Sequence, residues 1–267
     1  MANIFIDDWR IVPDVEVPLV RVGRDFDGGY VIPEYSLSHS KGLLSGGYGN
    51  DFSFESDFLQ KAGIKHAHIY DYSINLFVLT NELAKALIKS LLRRPHYSIK
   101  YHLKNIATYF LVTFSKAKLK KLKLVSNPVK SGEINLITSV KNLKTLTHGS
   151  VFCKLDIEGS EYELIHELNT LSESLTGIVI EFHQTERRRE QFLKSLEILK
   201  ANFVLVHVHP NNFGKQANDG WPVVFEMTFL PKSVLDGSQL SWYKSNSNTI
   251  HDQANDPSTE DIFINFS

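Results

Sequence analysis

From Lys41 onward the chain alternates short apolar runs with amphipathic stretches. Strands that alternate with helices build a mostly parallel sheet with helices on both faces, so this pattern narrows the fold to the α/β class before any motif is read. "GLL" (42–44) reads as a buried strand, "SGGYGND" as a glycine-rich turn, and "FSFESDFLQKAG" as a helix stopped by Gly63. "HAHIYD" is a second strand. Apolar residues at helical spacing, from Leu76 to Leu91, mark a helix over 75–94 that Pro95 ends. "YSIKYHL" is a third strand and "SVFCKLD" a fourth. A helix over 160–171, the strand "GIVIEFH" and a helix over 186–201 follow. "FVLVHVH" and "VVFEMTFL" close the series with no helical pattern between them, which permits an antiparallel pair.

The flanks read differently. Residues 1–40 carry Pro13, Pro18 and Pro33, which break long elements, and Asp27-Gly28-Gly29 is a turn between short extended pieces. We expect 1–40 to be an extension packed on a catalytic domain of 41–267. A lysine-rich insertion around 115–131 reads as a solvated helix or loop, with contact to an anionic glycolipid or membrane surface as the sharper reading. The tail from Ser245 to Ser267 is polar and reads as loop.

A formal net charge of −1 argues against nucleic acid as a partner, because phosphate backbones demand a basic face. The single cysteine, Cys153, excludes an internal disulfide and a cysteine zinc site. "MANIFIDDWRIVP" lacks the basic and apolar regions of a signal peptide, and no run of about 18 apolar residues exists to span a membrane. The expectation is a soluble cytoplasmic protein.

In open α/β sheets ligands bind beyond the carboxyl ends of the strands. Gly46, Gly47 and Gly49 follow the first strand, where missing side chains let a ligand approach the backbone. Asp71 ends the second strand 24 positions after Gly47, near the spacing of a carboxylate that receives ribose hydroxyls. Position 52 is Phe, so the loop is not a full dinucleotide fingerprint. Asp51 stands where a pyrophosphate would lie and repels one. A ligand with an adenosine and no phosphate, such as S-adenosylmethionine, fits better. The plainer reading is a structural turn with Asp51 or Ser53 capping the next helix.

The later strand ends carry carboxylates and imidazoles. Asp156 and Glu158 follow the fourth strand, two residues apart. Glu161 and Glu163 fall in the next helix's first turn, where solvated acids suit the helix dipole. Glu181 and His183 end the fifth strand, and His207, His209, Asn211 and Asn212 the sixth. Asp156, Glu181, His183 and His209 are candidate ligands of a divalent ion, and equally the parts of an acid/base site that deprotonates a hydroxyl.

"KLDIEGSEYELI" resembles the hallmark segment of the FkbM family of S-adenosylmethionine-dependent methyltransferases, which sets Lys, Asp, Glu, Gly and Glu among apolar residues. "LLSGGYGNDFSFE", "HIYDYS", "YHLKNIA", "GIVIEFH", "HVHPNNF" and "DGGYVIP" resemble further segments of it, from about Arg21 to the tail. The resemblance implies a class I methyltransferase fold, a Rossmann-like seven-stranded sheet, mostly parallel, whose last strand is antiparallel. It implies O-methylation of a small molecule or glycan. By position, Ser45, Gly46, Gly47, Gly49 and Asp51 line the cofactor. Asp71 and Tyr72 take the ribose, Asn105 lies near the adenine, and Asp156 and Glu158 sit by the methyl-transfer centre. Many members carry an acid at the position of Ser45 to hold the methionine ammonium, and Asp51 or Asp156 is the candidate to replace it.

The expected chemistry is O-methyl transfer with His183 or Asp156 as base, and Glu158 and Glu181 orienting it or sharing a divalent ion. The competing classes are a nicotinamide-dependent oxidoreductase and a non-catalytic glycan-binding module on the same fold. Tyr30, Tyr48 and Trp221 could stack on a sugar ring, although packing is the more usual role of such aromatics.

Overall fold

A computed structural model describes residues 2–47, 51–71, 80–81, 83–85, 87, 103, 106–107, 117–120, 123–125, 133–214, 216–235, 241–242 and 250–266. The chain opens with β1 (Ala2–Ile6), β2 (Val15–Glu16), β3 (Leu19–Val22), β4 (Tyr30–Pro33) and α1 (Glu34–His39). The alternating part runs β5 (Gly42–Gly46), α2 (Ser53–Lys61), β6 (Ala67–Tyr70), β7 (Ala117–Lys120), β8 (Lys123–Val125), β9 (Glu133–Asn135) and α3 (Leu136–Thr147). It continues through β10 (Val151–Leu155), α4 (Ile165–Thr170), β11 (Leu175–Phe182), α5 (Arg189–Leu199), β12 (Phe203–Pro210) and β13 (Phe225–Pro231). β14 (Ser241–Trp242) and β15 (Ile262–Phe266) complete the described elements.

Seven strands form one sheet in the order β12–β13–β11–β10–β5–β6–β7. β7, β6, β5, β10 and β11 are parallel. β13, the last of the seven along the chain, is antiparallel to both β11 and β12. This is the expected Rossmann-like sheet, mostly parallel with an antiparallel last strand. The chain fills one side of β5 first, then returns through β10 to the other. The switch point therefore lies between the carboxyl ends of β5 and β10.

The central strands β5, β10 and β11 are buried at every position, as a sheet covered on both faces requires. α3 and α5 cover one face. α5 buries Phe192, Ser195, Leu196 and Leu199, and α3 buries Leu136, Ser139, Val140 and Leu143, each a single stripe at helical spacing. On the opposite face Phe54 and Phe58 of α2 pack on Phe152, the Phe58 and Phe152 rings stacking at 5.0 Å. Each such ring contributes about 1.5–3 kcal/mol of burial. β3 and β4 form the hairpin foreseen around Asp27-Gly28-Gly29. It is tied to the sheet where the Thr228 hydroxyl donates to the Val31 carbonyl (2.7 Å).

Four expectations need correction. Of "YSIKYHL" only Leu103 lies among the described residues, and it is helical; the described strand that pairs with the outer side of β6 is β7, inside the lysine-rich segment. An edge strand needs little apolar character, so a run of lysines masked it. The helix α3 was not read at all, although Asn135 is its N-cap, accepting from the Thr138 N–H (2.9 Å). The helix over 160–171 is a 3-10 turn, Glu161–Glu163, followed by the short α4. The tail is not loop throughout: β15 pairs in parallel with β1. Of the helix expected over 75–94, residues 80–81, 83–85 and 87 are helical and the rest lies outside the described residues.

Candidate functional site

The switch point is built on one tight contact. Gly47 follows β5 with φ +78, and a Cβ there would lie 1.5 Å from the Asp156 carbonyl oxygen. Only glycine allows that approach. The Asp156 N–H donates to the Gly46 carbonyl (2.9 Å), so the glycine turn and the first acid of the carboxylate segment are locked together.

Beneath the turn lies a buried ion pair. Glu55 of α2 is fully buried, and the Ser45 hydroxyl donates to its Oε1 (2.5 Å). Lys154 Nζ stands 3.6 Å from the same oxygen and donates to the Gly47 carbonyl (2.9 Å). Burial pushes the Glu55 carboxyl up, opposed by Lys154 and Ser45. Burial would lower the Lys154 ammonium, but Glu55, Asp156 and Glu181 outweigh it and hold it raised. Glu55 Oε2 is buried without a hydrogen-bond partner among the described residues. Asp51, one of the two acids expected to stand in at position 45, is engaged elsewhere: Arg24 Nε pairs with its Oδ2 (2.7 Å), and its Oδ1 accepts from the Ser53 N–H (2.8 Å).

Across the turn, side chains from three strand ends converge. His183 Nε2 lies 3.8 Å from Asp156 Oδ1, 3.7 Å from Glu158 Oε2 and 3.6 Å from Glu181 Oε1. The ligand atoms of Asp156, Glu158 and His183 all lie within 4.8 Å of one another. Tyr30 reaches in from β4 and donates to Glu181 Oε2 (2.7 Å), with Asp156 Oδ2 at 3.2 Å. Burial, then Asp156 and Glu181, raise the Tyr30 phenol well above its usual range, so its O–H stays a donor. Asn211 Nδ2 donates to Glu181 Oε1 (3.1 Å). Burial, then Asp156 and Glu226, push Glu181 well above the usual carboxylate range.

Glu161 overturns its reading as a solvated helix acid. It is fully buried, and its Oε1 accepts from His183 Nδ1–H (2.9 Å) and from the N–H groups of Ile157 (3.2 Å) and Gly159 (3.0 Å). It thus holds the turn that presents Glu158, which sits at φ +56, and it fixes the His183 ring. Burial would lower that imidazole. The Glu161 hydrogen bond, with Glu181 and Asp156 nearby, instead raises it to about 9. Glu163 is exposed, as expected. Nothing in the sequence spacing marked Glu161 as buried, and Tyr30 and Glu55 reach the site only through the fold, whereas Asn211 stands at the strand end where the sequence put it.

His209 is not part of this group. Its Nε2 pairs with Asp261 Oδ1 (3.1 Å) and its Nδ1 lies 3.7 Å from Glu226 Oε2, while His207 Nε2 pairs with Asp252 Oδ1 (2.7 Å). Both aspartates belong to the C-terminal segment first read as loop. Burial would lower His209; the Asp261 hydrogen bond, with the Glu226 and Asp252 carboxylates nearby, raises it to about 10. Asp71 is buried at the end of β6. Trp221 packs against Phe192 and Phe225 beneath the Arg189 guanidinium, so its role is packing. Tyr48, Gly49, Tyr72 and Asn105 lie outside the described residues.

No family model and no curated protein matches the chain in sequence. Among solved structures, Streptococcus pneumoniae Sp1610 in complex with S-adenosyl-L-methionine aligns at TM-score 0.36 and 10% identity over 76% of this chain and 72% of that one. Spermidine synthase from Thermotoga maritima aligns at 0.38 and 11% over 78% and 59%. The O-methyltransferase NcsB1 of neocarzinostatin biosynthesis aligns at 0.32 and 9% over 74% and 50%. At these scores the fold assignment rests on the strand order and directions of the sheet itself.

Proposed function

We propose that the chain is an S-adenosylmethionine-dependent O-methyltransferase acting on a hydroxyl of a small molecule or glycan. The observation that carries this reading is the contact of Gly47 with Asp156, which sets a glycine turn suited to a phosphate-free nucleoside against a cluster of proton-accepting groups. The cofactor would supply an electrophilic methyl group and a neutral thioether leaving group.

The residues present fit that cofactor. Asp71, buried at the end of β6, would receive the ribose hydroxyls. Position 45 carries no acid, yet Glu55 reaches from α2 to the Ser45 hydroxyl and brings a carboxylate with an unpartnered oxygen to that place. Lys154 fixes the turn through the Gly47 carbonyl.

On the acceptor side, Asp156 is the carboxylate joined to the glycine turn, and it would take the hydroxyl proton. His183 stands beside it, and Tyr30 holds Asp156 and Glu181 in place. Alignment of acceptor and methyl group then supplies much of the rate.

Isothermal titration of the purified chain with S-adenosylmethionine and, separately, with NAD tests the reading. Binding of the former with methyl transfer to a hydroxyl in a glycan panel is the expected result. Binding of NAD alone would replace it with the oxidoreductase. Binding of neither, with glycan binding retained, would leave a non-catalytic module.

A further inference from the structure

We infer that Asp156, Glu158 and His183 form a divalent-cation site of Mn²⁺-like chemistry at the acceptor side of the crevice. The inference rests on the proposed active site and deepens it.

The cluster mixes one imidazole nitrogen with carboxylate oxygens. His183 Nε2 lies 3.8 Å from Asp156 Oδ1 and 3.7 Å from Glu158 Oε2, beyond hydrogen-bond length, and the three ligand atoms all lie within 4.8 Å of one another. Ligands at about 2.1 Å from a common ion sit at about 3–3.4 Å from one another, so a modest inward movement would let the three reach one ion, leaving positions for water or an acceptor oxygen.

The outer partners are assigned in the way such sites require. The far nitrogen of His183 is bound by Glu161, a fully buried carboxylate outside the cluster, which fixes the ring and aims Nε2 inward. Asp156 Oδ2 is occupied by Tyr30, with Lys154 Nζ at 3.7 Å, which leaves Oδ1 toward His183. Glu181 is held by Tyr30 and Asn211 and flanks the group without being needed as a ligand. Glu158 is 85% exposed in its side chain, so the site has a flexible member and an open side through which an acceptor hydroxyl can approach.

One imidazole with two carboxylates suits a borderline ion that accepts nitrogen and oxygen, and disfavours Ca²⁺, which takes oxygen alone. The ion would polarise the acceptor hydroxyl. With the ion bound to Asp156, the acceptor oxygen would lose its proton to solvent and form the new O–CH₃ bond as the C–S bond breaks, with its electron pair returning to sulfur.

The test titrates chelator-treated, desalted protein with MnCl₂ and follows free Mn²⁺ by electron paramagnetic resonance. Binding of S-adenosylmethionine is measured calorimetrically on the same preparation. One Mn²⁺ per chain is expected, weakened roughly tenfold or more by Glu158→Gln and by His183→Asn. The first change is at an exposed side chain that folding does not need. The second keeps a donor for Glu161. Glu163→Gln should leave Mn²⁺ affinity unchanged. No binding at millimolar Mn²⁺, or binding that neither ligand variant alters, overturns the inference. Cofactor binding without Mn²⁺ binding would defeat the metal site and leave the methyltransferase reading standing. Mn²⁺ binding without cofactor binding would do the reverse.

Discussion

Among the described residues two histidine–carboxylate clusters of similar composition, around His183 and His209, stand in different surroundings. Around His209, Asp261 bonds Nε2 and Glu226 lies 3.7 Å from Nδ1, and the ring is buried beside the C-terminal segment. Around His183 only Nδ1 is bound, by Glu161, while Nε2 faces three carboxylate oxygens at 3.6–3.8 Å beside the crevice. Both imidazoles are raised, to about 9 and about 10. A raised imidazole by itself therefore does not mark a functional site. The difference lies in exposure: His209 and its carboxylates are buried or nearly so, whereas Glu158 beside His183 Nε2 is 85% exposed in its side chain.

The largest expected effect falls on the sealed cluster. His209→Ala leaves Glu226 and Asp261 without their cation and should cost about 3–5 kcal/mol of stability, measured by chemical denaturation. A change below about 1 kcal/mol would mean the cluster is not the clasp described here. The pair can also be read through pH. The folded-state value of about 10 lies above the ordinary 6.5, so His209, facing Glu226, Asp261 and Asp252, contributes fully below pH 6.5. That contribution is lost as pH rises through about 10. The denaturation midpoint should decline over this window in the wild type and less steeply in His209→Ala.

The open cluster should respond in turnover instead. His183→Asn keeps a donor for Glu161 and removes Nε2, so methyl transfer should fall roughly 100-fold while the melting temperature moves little. A large loss of stability with unchanged turnover would make the two clusters alike. Within the carboxylate segment, Glu161→Gln should lower turnover roughly tenfold by releasing the His183 ring. Glu163→Gln, at an exposed side chain, should change neither turnover nor stability beyond about 0.5 kcal/mol.

The strands that carry the open cluster were readable because each is a buried apolar run ending in a polar group, as in "VFCKLD" and "GIVIEFH". Asp156, Glu158 and His183 were legible for the same reason. Glu161 was not, because acids in a first helical turn normally face solvent and only the turn at 157–161 buries this one. Tyr30 and Glu55 lie far from the cluster in sequence, and the fold brings Tyr30 onto Asp156 and Glu181 and Glu55 onto Ser45 and Lys154. β7 hid among lysines because an edge strand needs no apolar face. In the C-terminal segment the two aspartates on buried histidines leave no sequence pattern, and the short apolar strand β15, which buries Ile262 and Ile264, follows a long polar stretch.

The central claim is that the crevice between the ends of β5 and β10 holds a phosphate-free nucleoside cofactor. A crystal structure of the chain grown with saturating S-adenosylhomocysteine tests it most directly. The expected result is the ligand over Gly46 and Gly47, its ribose hydroxyls on Asp71 and its sulfur facing Asp156. A ligand bound elsewhere, or an empty crevice at saturation, would contradict it.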